Sequence, residues 1–109
     1  MKRAVFLHIE SILKDYPKMN DYINIRKQNK YYSPEDDRVV NCLRNQQGVV
    51  KDCLQNSSDD EIELIDALYF HHDPNKTLDG VAYDLNISRS TLFYKRNKFL
   101  EEVRHGLGW

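Results

Sequence analysis

The sequence has no apolar run approaching the roughly 18 residues that span a bilayer, so no transmembrane segment is expected. The opening residues MKRAVFLHIESILK set a basic pair before an apolar stretch, as a secretion signal does. His8, Glu10 and Ser11 break that stretch and no small-residue cleavage site follows, so a cytoplasmic location is expected. Glycine and proline are scarce, at four and three residues, which favours helices with short connections. A phosphate-cradling glycine loop and a nucleophile motif are both missing, so an enzyme is the least expected class and no cofactor is expected. The two cysteines, Cys42 and Cys53, lack the close spacing of a metal-ligand pair, and with His71 and His72 they make no recognisable zinc pattern, so no metal is expected. On one helix they would lie about 16 Å apart, too far for a disulfide. Both have apolar neighbours and are read as small core residues.

What the chain does have is an ordinary globular balance, with 40% hydrophobic and 30% charged residues in 109. That length suits one compact domain, or a small domain with a helical extension. An excess of either charge is absent overall, at −1 net, but the charges are segregated. Residues 1–32 carry seven Lys/Arg against three acids, a net of +4; residues 33–75 carry three against ten, a net of −7; residues 76–109 carry six against four, a net of +2. Arg89, Lys95, Arg96 and Lys98 fall in a stretch, 86–98, that holds no acid. Basic ends of this kind can hold phosphates while the acidic middle repels them.

Apolar spacing predicts an all-α protein. Val5, Ile9, Ile12 and Leu13, with Phe6 beside them, mark a helix from Arg3 that Pro17 ends at or before Tyr16. A second short helix from Asn20 to about Lys30 would use Tyr22, Ile23 and Ile25. Ser33-Pro34-Glu35-Asp36 has the chemistry of a helix start, and the helix beyond it would carry Val39, Val40, Leu43, Val50, Cys53 and Leu54, weakened midway by Gly48. Ser58-Asp59-Asp60-Glu61 matches a capping box, opening a helix to about His71 that buries Ile62, Ile65, Leu68 and Tyr69. His71-His72-Asp73 then fall at a helix end and turn, where protonated histidine is favoured. These elements divide the chain into an N-terminal helical region, 1–56, for oligomerisation or partner binding, and a C-terminal unit, 57–109.

The informative stretch is TLDGVAYDLNISRSTLFYKRNKFLEEV, residues 77–103. Its order of small, apolar and turn residues predicts a helix-turn-helix over 77–105 that enters the major groove of double-stranded DNA. Ala82 permits close crossing. Leu78, Val81, Leu85, Ile87 and Leu92 supply the shared core, Asn86 takes the left-handed turn position, and Ser88 caps the second helix. Phe99, Leu100 and Val103 fall on the buried face. Arg89, Ser90, Phe93, Tyr94 and Asn97 are the base-reading candidates. Thr77, Ser88, Thr91, Lys95 and Lys98 are the phosphate candidates.

The segment DLNISRSTLFYKRNKFLEEV resembles the C-terminal helix-turn-helix of bacterial sigma factors, their promoter −35 reader, and ELIDALYF, residues 63–70, resembles the helix preceding it. An N-terminal helix ending in KDYP, a middle helix, a helix ending in Tyr69-Phe70 and then the helix-turn-helix form an order similar to the late-gene regulators of phages, the RinA, ArpU and LtrC-like group. The resemblance implies a transcription regulator of phage or mobile-element operons, binding promoter DNA and touching RNA polymerase or another regulator. Phe93 and Tyr94 stand where sigma-type helices often carry basic residues, so no target sequence carries over. Most other sigma regions are absent. Two further readings remain open: a small terminase-like DNA-packaging subunit, and a protein-interaction factor using an apolar surface of Leu64, Leu68 and Phe70. A homodimer, through residues 3–30, would extend the few base pairs that one helix-turn-helix reads.

Overall fold

A computed structural model describes residues 1–28 and 37–109. Among the described residues the chain is built from helices without strands. In order these are α1 (Arg3–Asp15), a 3₁₀ turn (Tyr16–Lys18), α2 (Met19–Lys27), α3 (Arg38–Gln55), α4 (Asp59–Ile65), a π-helical turn (Asp66–Phe70), α5 (Leu78–Asp84) and α6 (Arg89–Leu107). The all-α class is as expected.

The first helix buries Ile9, Ile12 and Leu13 and stops before Tyr16, with Pro17 in the 3₁₀ turn. In α2 the expectation fails at two of three positions. Ile23 is buried, but Tyr22 and Ile25 are exposed, and Met19 is the second buried residue. Met19 and Ile23 are one turn apart on one face, whereas Ile25 lies roughly 200° round the helix from Ile23. The expected last residues of this helix, and the start signal at Ser33-Pro34-Glu35-Asp36, lie outside the described residues. The observed cap of α3 is Asp37, whose carboxylate accepts from the backbone N–H of Val39 at 3.0 Å and of Val40 at 3.2 Å. Arg26 Nε donates to the same carboxylate at 2.8 Å and holds it below the ordinary carboxylate range.

Gly48 does not interrupt α3. Val40 and Val50 are buried, Leu43, Cys53 and Leu54 are half-buried, and Val39 is exposed. Cys53 packs against the core, but Cys42 is exposed, and both are free thiols. The misjudged Cys42 lies on the same side of α3 as Cys53. However, α6 meets α3 at Val49, two turns beyond Cys42, so the covering helix does not reach it.

Ser58 caps α4 by accepting from Glu61 N–H at 3.3 Å, while the Glu61 carboxylate accepts from Lys98 on α6. The helix expected to run on to His71 instead widens after Ile65. The His71 N–H bonds to the Asp66 carbonyl at 2.8 Å, five residues back, which is the π-helical pattern. Leu64, Ile65, Leu68 and Tyr69 are all buried, and Phe70 is half-buried with its ring 5.2 Å from that of Tyr16. Of the surface considered for a protein partner, Leu64 and Leu68 are therefore interior and only Phe70 is partly exposed.

One core collects Ile9, Leu13, Met19, Val50, Leu64, Ile65, Val81, Leu92, Phe99, Leu100 and Val103. Residues from both sides of position 56 meet in it. At its edge, a β-carbon on Gly106 of α6 would stand only 2.7 Å from Val49 Cγ1 of α3, so glycine is what allows these helices to approach.

Candidate nucleic-acid interface

The α5–α6 pair is set by local chemistry at four points. Thr77 Oγ1 accepts from Gly80 N–H at 3.1 Å and starts α5. Val81 and Ala82 are buried, Ala82 being small enough for close packing. The helix then ends in a Schellman motif: Asn86 has φ 59°, its N–H bonds to Tyr83 O at 3.1 Å, and Ile87 N–H bonds to Ala82 O at 3.0 Å. Asn86 thus occupies the left-handed position expected of it. Ser88 Oγ accepts from Thr91 N–H at 3.1 Å and opens α6. Leu78, expected in the core, is 36% exposed. Helical side chains lean toward the N-terminus, so at the first position of α5 it overhangs the packed face.

The start of α6 presents an arc. At 100° per residue, positions 89, 90, 93, 94 and 97 fall within roughly 140° of one another. Arg89, Ser90, Tyr94 and Asn97 are exposed, Tyr94 at 70%. Phe93 is brought to the same arc but is half-buried and packs against the core. Its ring lies between two guanidinium groups, Arg89 at 5.2 Å and Arg96 at 4.9 Å. Arg96 also stands 5.1 Å from the ring of Phe6 on α1, and its Nε donates to Asn97 Oδ1 at 3.3 Å. Sequence reasoning counted Arg96 among the basic residues of 86–98 but gave it no specific contact. The three-residue step from Phe93 was its only local signal, because Phe6 is distant in sequence.

The cations of this half are largely occupied. Arg89 Nε lies 3.7 Å from Asp79 Oδ1, an exposed pair that is worth little and opens easily. Lys98 is 3.3 Å from Glu61, whose carboxylate holds its ammonium above the ordinary lysine range by hydrogen bond and charge. Lys76 pairs with Asp84, and Arg104 with Glu101. Lys95 is half-buried and has no ion pair among the described residues. The hydroxyls of Ser88 and Thr91 bond to each other at 2.8 Å, and that of Thr77 serves its cap. Tyr83 of α5 is 85% exposed and was not singled out in the sequence. Its position one step off the Val81–Ala82 face was the available signal.

His71 and His72 are exposed beyond the π-helical turn, with His71 Nδ1 2.7 Å from Asp66 Oδ1. Among the described residues no three metal-ligating side chains gather, and no helix is long and apolar enough to cross a membrane. No curated protein and no solved structure matches the chain. A family model does match, over residues 4–105, and so takes in α1 together with the α5–α6 pair whose second helix α1 touches through Phe6 and Arg96. The chain belongs to the family described as "Protein of unknown function (DUF722)".

Proposed function

We propose that the chain is a sequence-specific DNA-binding transcription regulator, with the α5–α6 pair as its helix-turn-helix and α6 as the recognition helix. The observation that carries this reading is the exposed arc of Arg89, Ser90, Tyr94 and Asn97 directly after a left-handed turn and a serine cap. The first turns of a recognition helix reach base edges in the major groove. Arg89 suits guanine, Asn97 suits adenine, and the Tyr94 edge suits a thymine methyl. Phe93 is better placed to hold the two arginines than to read bases itself. Lys95, with no carboxylate partner among the described residues, and the exposed start of α5 at Thr77 would meet phosphates. Lys98 would do so on leaving Glu61. The resemblance to phage late-gene regulators supports promoters of phage or mobile-element operons as targets, and RNA polymerase as a partner.

Footprinting across the gene's own genomic neighbourhood, at two salt concentrations, tests this. The expected result is a protected site that persists at higher salt and is lost in an Arg89→Ala, Phe93→Ala, Tyr94→Ala variant. Unchanged protection by that folded variant would remove α6 as the reader. Ring-shaped assembly in size-exclusion chromatography would favour the packaging role. A protein partner without DNA affinity at low salt would favour an interaction factor.

A further inference from the structure

A second basic surface lies away from the α5–α6 pair. The elbow between α1 and α2 and the middle of α3 enclose an open groove of about 600 Å³, lined by Tyr16, Asn20, Arg44, Gln47, Gly48 and Lys51, with Pro17 beside Tyr16. Among the described residues no carboxylate lines it. Asp15, Asp21 and Asp52 are sequence neighbours of lining residues but are not part of the wall. Arg44 and Lys51 are seven positions apart on α3, two turns on one side, about 10.5 Å along the axis. Between them Gly48 leaves the helix surface bare, and a β-carbon there would meet open space. Gln47 is held by a 2.7 Å hydrogen bond from its Nε2 to Asn20 Oδ1.

The pairing of charges distinguishes the two cations of this groove from Arg89 and Lys98 of α6, though not from Lys95. Arg89 and Lys98 each face an acid, whereas Arg44 and Lys51 are exposed and pair with no carboxylate among the described residues. Lys14 and Lys18, flanking the elbow, are likewise without an ion pair among the described residues. Two uncommitted cations two turns apart, with amides and a tyrosine between, suit an anion that repeats along a chain. We propose that this groove binds the phosphodiester backbone of DNA, as a sequence-independent contact separate from α6. The proposal rests on the DNA-binding reading for its ligand but on different residues for its geometry.

Salt-dependent binding of the full chain to a duplex carrying its protected site, and to a scrambled duplex, tests it. An Arg44→Gln, Lys51→Gln variant is expected to lower the slope of log affinity against log salt by about 0.9 for each phosphate no longer neutralised, so by about 1.8 in all, while preference for the protected site is unchanged. Gly48→Glu, which sets a carboxylate within a turn of both cations and improves helix propensity, should act in the same direction. Slopes unchanged in both variants would overturn the groove and leave the α6 reading standing. Reduced slopes here, with site preference unaffected by Arg89→Ala and Tyr94→Ala, would uphold the groove and overturn α6 as the reader. No duplex affinity of the wild-type chain at low salt would overturn both.

Discussion

The Tyr69 hydroxyl, carried by the π-helical turn, donates to a Glu10 carboxylate oxygen of α1 over 2.7 Å. Tyr69 is buried and Glu10 half-buried, so this bond joins the first helix to the body of the fold in a place water reaches poorly. Tyr69→Phe should therefore cost about 1–3 kcal/mol, the range for hydrogen bonds to charged groups and for leaving such a group unpaired. Urea denaturation should show a lower midpoint with an unchanged slope. An unaltered midpoint would mean the carboxylate simply turns to solvent.

The same hydroxyl sets a pH dependence. Burial first, and then the bond to Glu10, push the Tyr69 phenol far above its ordinary value of 10.0. Its folded form keeps the proton, so its contribution to stability is complete below about pH 10. That contribution declines as pH rises further, where the unfolded chain releases the proton and the folded chain does not. Ultraviolet titration should find the Tyr69 phenol un-ionised until the protein unfolds. Tyr69→Phe should remove that late step, and an early step in its place would contradict the burial argument.

At the α3–α6 contact, Gly106→Ala should destabilise by about 1–3 kcal/mol, because the added methyl meets Val49 at 2.7 Å. Val49→Ala makes room, so the double variant should recover part of the loss. Thermal unfolding of the wild type, the two single variants and the double variant measures the coupling. Strict additivity would show that the helices slide apart instead.

In the α5–α6 turn, Asn86→Val should cost about 1–2 kcal/mol, since φ of 59° suits asparagine and glycine but not a branched side chain. Asn86→Gly should be tolerated. If both variants unfold at the same denaturant concentration, the turn does not hold its left-handed residue in solution.

How much of this was legible in the sequence follows the range of the interactions involved. Ser58, Thr77, Ser88 and Asn86 act on backbone atoms within a few residues, and their roles at helix ends and in the turn read directly. So do Ile9, Ile12 and Leu13, whose spacing needs no partner to be recognised. Cys42, Leu78 and Ile25 were harder, because their burial depends on how far a neighbouring helix extends. The π-helical turn needs a bond five residues back, which no side-chain pattern announces, and it accompanies the burial of Leu64 and Leu68. Arg96 was least accessible of all, since half of its setting comes from Phe6, 90 positions away.

The long last helix has a root and a tip. Phe99, Leu100 and Val103 fix its root inside the core, and Gly106 fits it against α3, whereas Arg89, Ser90, Tyr94 and Asn97 at the tip are exposed. Substitutions at the tip should therefore leave foldability almost untouched, while those at the root are confined by shape. Selection could then rewrite what the tip contacts one residue at a time, with the rest of the molecule carried forward unchanged.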